Sequence, residues 1–202
     1  MKIQAEPFRK VAAGTADEIC RRVDLSGEAK AFLVPNLSPQ GYLSLLLQAE
    51  AIGDAIRFLA FALPVREGVW WACVVAHSLI AKPSDGEAAC INLAARWVYD
   101  PTEEHRRACM AAAESLNFEG AAAYAALGAF WSGGSLAPEG MPEAPADPSL
   151  GHVGVGASVL LSLTAGDPLT MDDRFRTVMA RGADIANGGN GRMDGDRPIA
   201  RD

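Results

Sequence analysis

The chain has 202 residues, half of them apolar, 21% charged, and a formal net charge of −7. That is enough for one domain with a real core and too little for two independent ones. Grip on a phosphate backbone requires basic patches, so the acidic balance argues against nucleic acid as a partner, and equally against docking on an anionic membrane.

Met1 to Lys10 is polar and lacks the apolar centre of a signal peptide. The longest uncharged apolar run, Gly68 to Ala81, is too short to span a bilayer. The expected compartment is the cytoplasm. Four cysteines, Cys20, Cys73, Cys90 and Cys109, sit singly within helical patterns. Reduced thiols acting as small hydrophobes are therefore expected, and not a disulfide framework.

In chain order, Thr15 with Glu18 forms a capping box and opens a first helix, supported by Asp17–Arg21 and Glu18–Arg22 at i, i+4 spacing. A short helix follows over Ser26 to Leu33. Ser38 caps the next, with Pro39 at its first position, and that helix runs to about Ala49. After Gly53, a soft break, the pattern resumes over Asp54 to Leu63 with Ile56, Leu59, Ala60 and Leu63 on one face. Pro64 opens a helix to about Ala81, and another spans Glu87 to Tyr99. Asp100-Pro101-Thr102-Glu103 reads as cap, proline and acid, starting a helix to Leu116; Glu119 to Trp131 is the next.

Residues 132–147 gather glycines and prolines into a loop without regular structure, of a length that is usually functional or disordered. Two helices remain, Pro148 to Thr164 and Met171 to Ala186. Thr170 with Asp173 caps the second, and Asn187-Gly188 stops it. The tail 189–202 is polar and expected to be disordered. Val153 to Leu163 is the best strand candidate, but Gly154, Gly156 and Ala157 suit close helix packing better. The expected fold is all-α: one domain over residues 1–188, a bundle of eight to ten helices arranged as stacked hairpins.

Chemistry-bearing patterns are few. Cys73-x-x-x-His77 and His105-x-x-x-Cys109 each place two ligands on one helical face, and together they could supply a tetrahedral zinc site. The pairs lie 27 residues apart with a helix between, so the favoured reading is an apolar face for Cys73 and His77 and a solvated His105. Gly151-His152-Val153-Gly154-Val155-Gly156 lacks the order and the preceding strand of a nucleotide loop, and His152 reads as a loop-end histidine. No metal and no cofactor is expected. Adjacent residues on a helix point about 100° apart. If Trp70 faces the core, Trp71 therefore lies towards an edge beside Val75 and Ser78; the favoured reading buries both between several helices, and the functional one makes Trp71 a protein-binding patch rimmed by Arg66 and Glu67.

Two resemblances bear on function. Glu67, Cys73 and His77 partly resemble the all-helical carboxymuconolactone decarboxylase and alkylhydroperoxidase-like family, which uses a Glu, a CxxC pair and a following His. Trp70 stands where the first cysteine belongs, so the redox pair is absent. The stretch Asp54 to Cys73, with Asp173-Arg-Phe-Arg and Gly182-Ala-Asp-Ile-Ala-Asn-Gly, resembles an uncharacterised proteobacterial all-helical family associated with type VI secretion gene clusters. That resemblance implies an accessory or adaptor protein whose partner is a secretion effector or loading protein, and it supplies no catalytic residues. The favoured function is a non-catalytic interaction module, and the alternative is a small thiol enzyme. Whether the partner is a second copy, in a homodimer, stays open.

Overall fold

The computed structural model describes residues 7–200, so most of Met1–Lys10 and the last two residues of the tail lie outside it. Ten α-helices follow one another: α1 Ala16–Cys20, α2 Gly27–Ala31, α3 Pro39–Gln48, α4 Ile52–Ala62, α5 Val65–Leu79, α6 Asp85–Tyr99, α7 Glu103–Ser115, α8 Gly120–Phe130, α9 Leu150–Thr164 and α10 Met171–Ala186. A 3₁₀ turn, Pro168–Thr170, precedes α10. Among the described residues there is no strand, and the one β pairing is an isolated bridge between Ser135 and Pro145. The fold is all-α, a single domain of closely packed helices. Among the described residues no single helix is long and apolar enough to cross a membrane.

The centre of the molecule is the meeting of α5, α8 and α9. α8 is rich in alanine and buried on most of its surface, while α9 brings Gly151 and Gly154 to the contact. A Cβ on Gly154 would lie 2.9 Å from both the backbone N and Cα of Gly128, so these two helices touch backbone to backbone. Val155, beside it, fills the space left by Gly128 and by Gly68 of α5, with contacts of 3.4 and 3.3 Å to the positions their Cβ atoms would take. The Ser158 hydroxyl donates to the Ala121 carbonyl at 2.8 Å, so the polar group that α9 sinks into this contact is satisfied. Around this triad α6 and α7 pack on α8, α4 packs on α9, and α10 covers α5. α10 reaches α5 through Gly182, which lies against the buried Trp71 indole and Leu59.

Local signals differ from expectation at four places. The break before α4 falls at Glu50, in the left-handed region with φ 54°, and Gly53 lies inside the helix. The cap of α7 is Thr102, whose hydroxyl accepts from the His105 N–H at 3.2 Å, while Asp100 ends α6. Thr170 makes no side-chain cap; Asp167 caps the 3₁₀ turn instead, accepting from Leu169 N–H at 2.9 Å. His152 is not at a loop end but buried in the first turn of α9.

The 132–147 loop is drawn in by two arginines. Buried Arg106 donates to the carbonyls of Phe130 and Ser135 at 2.6 and 2.8 Å while paired with Glu103, and Arg107 donates to Ala137 at 3.0 Å. The segment after Gly188 is likewise not a free tail. Buried Arg181 pairs with Asp196 at 2.5 and 2.8 Å, and Arg197 caps the end of α5 through the carbonyls of His77 and Ile80. The physical reasons are a buried guanidinium that must find a carboxylate and helix-end carbonyls that must find donors.

The α8–α9 contact makes a paired prediction. Gly154→Ala should lower stability by roughly 1–3 kcal/mol, because a methyl there overlaps backbone that has no room to yield. Gly156→Ala, whose Cβ would meet only Ala60 Cβ at 3.7 Å, should be neutral or stabilising. Urea unfolding of the two variants checks this.

Candidate functional site

The residues singled out from sequence do not assemble into a reactive centre. Cys73 is fully buried, with its Sγ 3.7 Å from the Ile91 carbonyl of α6. Glu67 lies six residues earlier, about 120° round α5 from Cys73, with its carboxylate 3.3 Å from Lys10 Nζ. His77 sits half-buried in the last turn of α5. Burial and the nearby Arg197 guanidinium lower its pKa. The thiol-enzyme arrangement fails because nothing can reach the sulfur. Burial raises the pKa of every thiol, Cys90 to about 11 and Cys109 to about 12, with Cys73 higher still and Cys20 raised less. Such thiols are neutral and unreactive near pH 7.

The four-ligand metal arrangement also fails. His105 is tied by Nδ1 to the Asp100 carbonyl at 2.8 Å, at the start of α7, whereas Cys109 and Cys73 are buried in the core. Among the described residues no group of three or more His, Cys, Asp or Glu side chains could hold a metal ion.

Trp71 is not at an edge. Its indole is fully buried and donates to the Val178 carbonyl of α10 at 3.0 Å, so it can contribute to no surface. Trp70 is the outer of the two: 8% exposed, donating to the Asn190 carbonyl at 2.7 Å and meeting Tyr99 edge-on with ring centroids 5.6 Å apart. Arg66 and Glu67 do reach the surface, where with Trp70 they line a shallow cleft of about 310 Å³. Arg66 Nε donates to the Val98 carbonyl, which holds its head group in place.

The better-formed site lies along α9, which sequence reasoning passed over. This helix has no charged residue from Leu150 to Thr164, and neighbours cover it on every side but one. The uncovered side carries Val153 at 46% exposure, Ala157, Leu160, and Leu161 at 38%. Val153, Ala157 and Leu161 form a ridge at i, i+4, i+8, flanked by two clefts of about 550 and 580 Å³. The first is walled by Phe61 of α4 and by Val23 and Leu25 ahead of α2, with Arg57 at its rim. The second lies between α9 and the segment Leu79–Lys82.

A polar network braces the first cleft. Asp54 accepts from the backbone N–H of Ser26 at 3.0 Å and from its hydroxyl at 2.7 Å, and it pairs with Arg57 at 3.4 Å. His152 stacks on Phe61 with ring centroids 5.1 Å apart. Its Nδ1–H donates to the Ala60 carbonyl at 2.9 Å, leaving Nε2 to accept from the Arg22 guanidinium at 3.1 Å. Burial lowers the His152 pKa, and Arg22 adds to this against the opposing pull of the Ala60 bond. Both ring nitrogens are engaged, so this imidazole is a brace and not a base. A run of fifteen residues free of charge was a signal in the sequence that α9 is largely enclosed by other helices.

Residues 42–186 match the model of DUF6931, a family of unknown function. The chain belongs to this family. The match covers most of α3 and all of α4 to α10, hence the α9 ridge and the Arg57, Phe61 and His152 side of its first cleft. Val23 to Ser26, the opposite wall, precedes it. No curated protein and no solved structure matches the chain.

Two outcomes follow for this DUF6931 chain. Alkylation of the native protein at pH 8 should reach half-buried Cys20 first and leave Cys73 and Cys109 unmodified until the protein unfolds, as peptide mass mapping would show. A histidine whose pKa is depressed by folding binds its proton more readily when unfolded. Stability should therefore fall as pH drops below about 6.5, with buried His152 contributing at most about 1.4 kcal/mol per pH unit and the more exposed His77 less, because solvent screens it. His152→Gln should flatten that dependence between pH 6.5 and 5 in denaturation series.

Proposed function

We propose that this chain is a non-catalytic helical interaction module that binds another protein in the cytoplasm, serving as an accessory or adaptor of type VI secretion. One observation carries the reading: the central helix of the domain leaves an apolar face, Val153 to Leu161, in solvent. Apolar surface on a core helix is costly to expose and is the usual signature of a surface completed by a partner. The sealed thiols and the fully bonded His152 are consistent with binding in place of chemistry. The secretion setting rests on the resemblance of Asp54–Cys73 and the α10 pattern to proteins encoded beside such systems, and makes an effector or its loading protein the partner class. Arg66 and Glu67, with Trp70 in the place expected of Trp71, rim a second and smaller contact surface.

Affinity purification of the tagged full-length chain from its native host tests this. The expected result is near-stoichiometric recovery of a secretion effector, a loading protein, or a spike or sheath component. A preparation free of any partner, from cells in which the secretion system is assembled, overturns the adaptor reading.

A further inference from the structure

The cleft of about 580 Å³ beside the C-terminal half of α9 opens between the end of α5 and the starts of α6 and α8. Its side-chain charges offset, since Lys82 and Glu87 both line it. The acceptors at the helix ends around it are spent. The Ile80 carbonyl at the end of α5 takes the Arg197 guanidinium at 3.1 Å, and the Ser162 carbonyl of α9 takes Arg174 at 2.5 Å. Thr164 and Ala165 fold back on the Leu160 and Leu161 carbonyls at 3.0 and 3.1 Å. Glu87 closes the capping box of α6, accepting from the Ser84 N–H at 2.8 Å and its hydroxyl at 2.9 Å.

The donors are not spent. α8 starts at the wall of this cleft, with Gly120 and Ala121, and its N-cap residue Glu119 is exposed and makes no side-chain bond to the first turn. The first N–H groups of a helix have no partner within it, so those of α8 require an acceptor from outside. Ser162, on the same wall, is 1% exposed, and its hydroxyl has no hydrogen-bond partner among the described residues. The direction of this hydroxyl follows from the packing. Ser158, one turn earlier on the same face of α9, reaches the Ala121 carbonyl at 2.8 Å. The Gly128–Gly154 and Ala121–Ser158 contacts run in opposite chain order, so Ser162 faces the start of α8. A buried hydroxyl left unpaired beside unpaired N–H groups marks a place for a bound acceptor.

We propose that this cleft binds a small aliphatic carboxylate. The carboxylate oxygens accept from the first N–H groups of α8 and from the Ser162 hydroxyl, and the aliphatic chain lies along Leu79, Ile80 and Leu161. A helix N-terminus favours a negative group through its dipole as well as its donors, which selects a carboxylate over a neutral acceptor even where Lys82 and Glu87 cancel. The volume lies within the range of small-molecule sites. Of the apolar ridge only Leu161 reaches this cleft, so a bound carboxylate leaves Val153 and Ala157 open to a protein partner.

Isothermal titration of the full chain with octanoate, octanol and acetate tests this. Octanoate should bind, octanol at least about tenfold more weakly and acetate not detectably, since octanol lacks the charge and acetate the chain. Ser162→Ala removes only an unpaired hydroxyl, so it should be as stable as wild type in urea while losing about tenfold in octanoate affinity. Leu161→Glu, at a position 38% exposed, should abolish binding with native helicity retained in circular dichroism. Lys82→Gln should leave the preference for octanoate over octanol in place. No binding of octanoate, equal affinity for octanoate and octanol, or octanoate binding unchanged by Ser162→Ala or by Leu161→Glu overturns the proposal. So does a preference that Lys82→Gln removes, since a lone ammonium would then carry it.

Discussion

The contact of Gly128 with Gly154 sets the spacing of the whole domain, because two helix backbones can come this close only where neither carries a side chain. Once α8 and α9 touch, Val155 is forced into the gap framed by Gly128 and Gly68, and α5 is locked into the same layer. The alanine surface of α8 then lets α6 and α7 settle against it without bulk in the way. Gly182 repeats the device on the far side, giving α10 a flat place for the Trp71 indole. Small residues decide where backbones meet, and large ones fill what remains.

The exposed face of α9 is a consequence of that packing. α9 is so deeply set among α4, α5, α8 and α10 that its sequence carries no charge, yet the described residues supply no fifth neighbour for its last sector. Val153 and Leu161 are left in water by a shortage of elements and not by a local quirk. The Asp54, Ser26, Arg57, His152 and Arg22 network stiffens one bank of this open sector, so the cleft is preformed and loses little entropy when filled.

Buried arginines do a second job, tying irregular chain to the helices. Arg106 gathers the proline- and glycine-rich loop, stacking on Phe130 at 4.6 Å while it donates to two carbonyls, and Arg181 with Asp196 fastens the C-terminal segment. The guanidinium of Arg181 also holds the Asp196 carboxyl down at a pKa of about 2, so that pair stays ionised far into acid. Composition alone reads both segments as loose, since it registers glycine and proline but not the donors that a folded partner element brings to them.

Helix existence was legible from residues in chain order, because it depends on local signals: Ser38 with Pro39, the Thr102 region, and the alanine runs all act within one turn. The glycines of α9 were also readable as packing residues. What sequence could not settle was which way a side chain faces once several helices compete for it. Trp70 and Trp71 are neighbours with the same apolar character, and only the position of α10 and Gly182 decides that Trp71 is sealed and Trp70 reaches the rim. Cys73, His77, His105 and Cys109 have ligand-like spacing, yet Cys73 and Cys109 are sealed in the core while His105 is tied to Asp100 at the start of α7. The bare face of α9 depends on a neighbour that is missing, and a missing neighbour leaves no mark on local sequence. Local propensity and pattern determined the helices; the sum of long-range contacts decided which of their faces remained exposed.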